Sequence, residues 1–171
     1  EGSMRQRWLN YRDAVTQQLV VRRGPLYPLN SLMTQGITYA RRGNASRMTN
    51  ELKDLKDEFR MFFASGTQLQ ELYITPQMMS PEMWDALAEA ARWSRANADV
   101  LVDTHMIGGS VAKGRVYGYA SWSPRKGIVA LRNPRGRAAS FDLDLNAAWE
   151  LPPGGPRKFF IISAWKEIAS R

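Results

Sequence analysis

The sequence has no cysteine. Disulfides and thiolate metal sites are therefore excluded, and the chain suits a reducing compartment. His105 is the only histidine, which excludes a multi-histidine metal site and makes no persuasive nucleophile–histidine–acid arrangement. No run of alternating Asp and Asn suggests a calcium loop. Gly108-Gly109 and Gly154-Gly155 do not lead from a strand into a capped helix, so a phosphate-cradling loop is not expected. Neither a metal nor a cofactor is expected. No stretch approaches the roughly 18 apolar residues of a membrane span, and Arg5, Arg7 and Arg12 interrupt any apolar leader after Met4. The expectation is a soluble protein, cytoplasmic by default, with no membrane partner.

What is present is globular. With 171 residues, 44% apolar and 11% aromatic, the chain suffices for one ordinary domain or two small ones sharing a core. Glu1-Gly2-Ser3, before Met4, reads as a cloning scar and is set aside. The net charge of +8 is unevenly placed: residues 1–47 carry +6, residues 48–110 carry −5 and residues 111–171 carry +7. Such asymmetry can favour a polyanion. The basic residues are spread, however, and no aromatic-rich RNA-binding motif accompanies them, so nucleic acid is not the expected partner. An acidic helix between two basic segments, self-complementary in an oligomer, accounts for the pattern as well.

The first half reads as helical. Tyr11 to Arg23 carries Ala14, Val15, Leu19 and Val20 on one stripe and ends at Gly24-Pro25. Leu29 to Ile37 suggests a short helix entered through Pro28, and residues 41–48 a polar loop. Thr49 to Ala64 repeats Leu52, Leu55, Phe59 and Phe62 at helical spacing, with Thr49 or Asn50 as cap and Gly66 as terminator. Gln68 to Thr75 reads as a strand. Ser80-Pro81-Glu82 starts a helix running to about Arg95 that buries Trp84, Leu87, Ala88 and Ala91. Val100 to Ile107 is a strand candidate. From Arg115 the period becomes two: strands are expected up to Trp122, over Gly127 to Arg132, over Ser140 to Leu145 and over Phe159 to Trp165. The fold class is α+β, with a helical N-terminal half (4–110, one or two strands) packed on a C-terminal antiparallel sheet or partial β-sandwich (111–171) in one shared core.

Four phrases resemble a known family. GPLYPLNSLMTQGITYA (24–40), FFASGTQLQELYITPQMM (62–79), EMWDALAEAARWSRANADVLVDTHMIGG (82–109) and YGYASWSPRKGIVALRNP (117–134) look like the end of a bacterial α-galactosidase-like glycoside hydrolase. The likeness covers about residues 5–166. It implies the last units of a TIM barrel followed by a truncated β-sandwich, with hydrolysis of α-galactoside-type bonds as the parent activity. The family's catalytic carboxylates lie upstream of these phrases. A non-catalytic fragment that binds carbohydrate or self-associates is the alternative reading. A few barrel units cannot close a barrel, so a homodimer, with or without exchanged strands, is the expected state.

Glycoside hydrolysis needs two carboxyl groups, roughly 5–5.5 Å apart for retention or 6.5–9.5 Å for inversion. Glu71 sits inside the apolar strand QELYIT, where a charge needs an Arg partner or a site. Asp103 and His105 are two apart in VLVDTH, as base and orienter or as a simple hydrogen-bonded pair. Glu71 and Asp103 are the candidate carboxyl pair, with His105 beside them. Asp142 and Asp144 read as solubilising, and Asp13 as a carboxylate at a helix start. For sugar contacts the candidates are Tyr27, Asn30, Gln35, Tyr73 and Trp122. Trp84 and Trp122 also fit core positions, whereas Tyr27 and Asn30 stand at a loop-to-helix junction.

Overall fold

The computed structural model describes residues 2–42, 51–155 and 157–165. Among them the order is α1 (Met4–Leu19), β1 (Met33–Tyr39), α2 (Leu52–Ala64), β2 (Leu69–Ile74), α3 (Pro81–Ala96), α4 (Ala98–Leu101), β3 (Thr104–Gly108), β4 (Tyr117–Ser123), β5 (Lys126–Arg132) and α5 (Leu145–Ala148). The fold is α+β. β1 and β2 pair in parallel around α2, and β3, β4 and β5 form an antiparallel sheet in that order. Because β3 belongs to this sheet, its pairing crosses the expected boundary at residue 110.

α1 starts at Met4 and not at Tyr11, and stops at Leu19 and not at Arg23. The reason is chemical. Its buried residues are Arg5, Arg12, Asp13, Thr16 and Gln17, with Leu9 the one apolar member, so an apolar stripe does not mark the inward face. Leu19, on the expected stripe, is half exposed. Ser3, set aside as a scar, caps the helix: its hydroxyl accepts from the Gln6 amide at 3.2 Å and donates to Asp54.

The short helix expected over Leu29 to Ile37 is a 3₁₀ turn, Leu29–Ser31, followed by β1. Pairing with β2 buries Ile37 and Tyr39 and overrides the local reading. The pairing carries a bulge between Thr34 and Ile37. There Gly36 is obligatory, because a Cβ would stand 1.4 Å from the Glu71 carbonyl oxygen. Most of the polar loop expected over 41–48, and both expected caps Thr49 and Asn50, lie outside the described residues. α2 buries Leu55, Phe59 and Phe62 as its spacing predicts, and Gly66 follows it in the left-handed region.

α3 begins as predicted, with the Ser80 hydroxyl accepting from the Met83 amide at 3.3 Å. The same hydroxyl holds the Glu82 carboxyl below its usual pKa. Ala86, Leu87 and Ala90 are the residues it buries, while Trp84 is 41% exposed and not a core residue. The predicted strand over Val100 to Ile107 divides: α4 takes its start and β3 its end.

β4 is the central strand and is covered on both faces. Tyr117 and Tyr119 face α1 with Leu9, Leu29 and Val111, while Ala120 faces Ala148 and Trp149. A third core of Ile37, Tyr39, Phe59, Phe62 and Leu87 lies between α2, α3 and the parallel pair.

Two expected strands do not form. Over Ser140 to Leu145 the burial alternation exists, with Phe141, Leu143 and Leu145 half-buried, but no neighbouring strand pairs with it. Asp144 instead caps α5, accepting from the Asn146 amide at 2.9 Å. Over Phe159 to Trp165 no strand forms, and Phe160, Ile161 and Ile162 are almost fully exposed.

The charged inward face of α1 is closed by partners. Arg5 is buried against Glu58 of α2, and its Nη1 donates to the Thr38 carbonyl at 3.2 Å. Arg12 Nε donates to Asp13 at 3.1 Å. Asp13 stands inside the helix and not at its start, 1% exposed, accepting from Tyr117 Oη at 2.6 Å and acting electrostatically on the Tyr119 hydroxyl. Burial, reinforced by Asp13, pushes both tyrosine hydroxyls far above their usual pKa. Burial likewise raises the Glu58 carboxyl, against the pull of Arg5 and Arg12.

Candidate functional site

The residues singled out from the sequence fall in three separate places. The first is the bulge of the parallel pair. Thr34 pairs with Gln70 and Ile37 with Leu72, so Gln35 and Gly36 stand opposite Glu71. Glu71 is half-buried and accepts from Tyr73 Oη at 2.5 Å, a bond that raises the tyrosine pKa. Gln35, Glu71 and Tyr73 are thus neighbours, and the partner expected to be an Arg is a phenol. One carboxylate stands here.

The second place is the start of β3. His105 Nε2 lies 3.3 Å from Asp103 Oδ1, and Nδ1 lies 3.7 Å from Glu150 Oε1. The first distance fits a weak hydrogen bond, whereas the second is too long for one. Glu150 is the second carboxylate at this imidazole. It follows α5 with φ 48°, in the left-handed region that non-glycine residues seldom adopt. The two carboxylates meet opposite edges of one imidazole, so the ring occupies the space a glycosidic bond would need. No hydrogen bond or ion pair among the described residues joins Asp103, in the turn before β3, to Glu71 in β2.

The remaining candidates scatter. Tyr27 is exposed, while Asn30 is buried and its carbonyl accepts from the Gln68 amide at 2.8 Å. Trp122 stacks on Trp149 with centroids 5.4 Å apart, and Phe159 stands edge-on to both rings. That packing makes Trp122 a wall of the outer core. Among the described residues no group of His, Asp and Glu could hold a metal ion, and no helix is long and apolar enough to cross a membrane.

The third place is one that the sequence reading missed. A cleft of about 950 Å³ runs between the outward face of α1 and the turns after β3 and β5. Asn10, Tyr11 and Ala14 line one side, and Lys113, Arg135 and Arg137 the other. Gln17 sets its depth: Nε2 donates to the Gly109 carbonyl at 2.9 Å and Oε1 accepts from the Val111 amide at 3.0 Å. Arg135 braces the opposite wall, its Nε donating to the Gly114 carbonyl at 2.7 Å. Asn10, also in the lining, accepts at Oδ1 from Arg132 Nη2 at 3.0 Å, which leaves its amide nitrogen as a donor. Tyr11 is 63% exposed and rests on Trp8 with centroids 5.9 Å apart. A smaller hollow of about 260 Å³ continues the cleft past Gly114 and adds Arg115 and Asn133. The signal for it in the sequence is faint: it needs both the true start of α1 and the pairing of β3 with β4.

No family profile, curated protein or solved structure matches the chain.

Proposed function

We propose that this chain is a carbohydrate-binding module related to glycoside hydrolases, and that sugar is held and not cleaved by it. The observation that carries this reading is the cleft beside α1. It has the size of a small-ligand site, an exposed aromatic ring for a sugar face, and amide and guanidinium donors for hydroxyls. The residues that hydrolysis would require do not favour cleavage, since no hydrogen bond or ion pair among the described residues joins Glu71 to Asp103, and His105 stands between Asp103 and Glu150. The likeness of 117–134 to an α-galactosidase-like β-domain supports the choice of carbohydrate as ligand class.

The test is titration with neutral and acidic oligosaccharides, run beside turnover of a nitrophenyl glycoside panel. Affinity without turnover is the expected result. Turnover that vanishes in Glu71→Gln or Asp103→Asn would restore the hydrolase reading.

Self-association is the second reading, and one observation favours it. Phe160, Ile161 and Ile162 are exposed, with no backbone hydrogen bond among the described residues. Such a segment is a template for strand pairing. Light scattering should give a dimer for the protein and a monomer for Ile161→Lys.

A further inference from the structure

We infer that the cleft takes an acidic saccharide, one bearing carboxylate or sulfate groups; this rests on the carbohydrate-binding reading and specifies its ligand. The argument is electrostatic. Lys113, Arg135 and Arg137 line the cleft, Arg115 lines its continuation, and no carboxylate among the described residues lines either. Lys113, Arg115 and Arg137 make no ion pair with any described residue. In the core the protein instead pairs its charges, burying Arg5 on Glu58 and Arg12 on Asp13. Like charges gathered around one concavity repel one another and raise the local concentration of anions. A neutral sugar would leave that repulsion in place, whereas a carboxylate would relieve it through charge-assisted hydrogen bonds.

Two features favour a saccharide over a nucleic acid. Tyr11 is one exposed ring at the mouth, not the succession of stacking platforms that single strands use. The cations also face α1 across one cleft instead of tracking along a backbone.

Three roles follow. Arg135 is a positioning residue, because its guanidinium already holds the Gly114 and Lys113 carbonyls. Lys113 and Arg137 are the exposed cations that meet the acid group. Tyr11 carries the ring face and reads no charge.

Calorimetric titration with trigalacturonate and with the neutral galactotriose tests this. The acidic sugar should bind more tightly, with affinity falling as salt rises. Lys113→Gln/Arg137→Gln should lower its affinity by about tenfold or more and that of galactotriose by much less; Lys113→Arg should retain binding. Tyr11→Ala should weaken both sugars alike. Equal affinity for the two sugars, or an unaltered affinity for the acidic one in the double variant, overturns the inference and leaves the carbohydrate reading standing. Binding of neither sugar, together with tight binding of a homopolymeric RNA oligonucleotide, overturns both.

Discussion

The two faces of α1 use charge in opposite ways. On the inward face, Arg5, Arg12 and Asp13 are buried and each meets a partner from α2, β4 or its own helix. On the outward face, Asn10, Tyr11 and Ala14 look across a cleft at cations that no described carboxylate answers. Buried charges must be paired, because an unpaired one costs several kcal/mol. Solvated charges carry no such obligation, so where they gather unpaired around a concavity, stability is not what they supply. One helix therefore separates the charges that hold the fold from those that suit a ligand.

The sharpest way to break this contrast is Asp13→Ala. It would leave the Arg12 guanidinium and the Tyr117 hydroxyl without their acceptor in the core. A loss of about 3–5 kcal/mol is expected, read by urea denaturation and large against the roughly 5–15 kcal/mol that folds a typical domain. Glu58→Leu alone should cost a comparable amount by stranding Arg5. The double variant Arg5→Met/Glu58→Leu should recover most of that loss, since a buried pair replaced by apolar side chains is often close to neutral. A double variant worse than the sum of its parts would deny that the pair is a closed unit.

A pH dependence follows from the same face. Burial and Asp13 keep the Tyr117 and Tyr119 hydroxyls protonated above the ordinary tyrosine value of 10.0. The unfolded chain releases those protons as pH passes that value, so there the folded state binds more protons than the unfolded one. Stability therefore falls with rising pH, by about 1.4 kcal/mol per pH unit for each group. Tyr119→Phe should make the alkaline slope shallower. On the outward face the expected effect is smallest: Lys113→Gln and Arg137→Gln should each change stability by no more than about 0.5 kcal/mol.

The sequence is informative where burial follows the apolar period. α2, the Ser80 cap of α3, the strand over 69–74 and the hairpin closed by Ser123 to Lys126 were all legible, because apolar spacing, a capping hydroxyl and a turn mark them locally. α1 was misplaced because its core face is polar, and partners distant in sequence, Glu58 and Tyr117, make that face buriable. The strand inside Leu29 to Ile37 was not legible because the reason for its Gly36, the Glu71 carbonyl, lies on another strand. Alternation over 140–145 correctly told which side chains turn inward, yet alternation cannot supply the neighbouring strand. Of the candidate residues, the pairing of Asp103 with His105 was legible from their spacing of two, although Asp103 lies in the turn before β3, whereas the Tyr73 partner of Glu71 was not. The cleft did not, because its walls come from residues about a hundred positions apart.

The most direct test of the contrast is the urea midpoint of the Lys113→Gln/Arg137→Gln double variant, measured with and without trigalacturonate. Without ligand the midpoint should equal or exceed that of the unaltered protein, because removing unpaired like charges relieves repulsion. With ligand the unaltered protein should shift upward and the variant should not. A variant that is less stable without ligand, or that the ligand stabilises as fully as the unaltered protein, would contradict the division of labour between the two faces of α1.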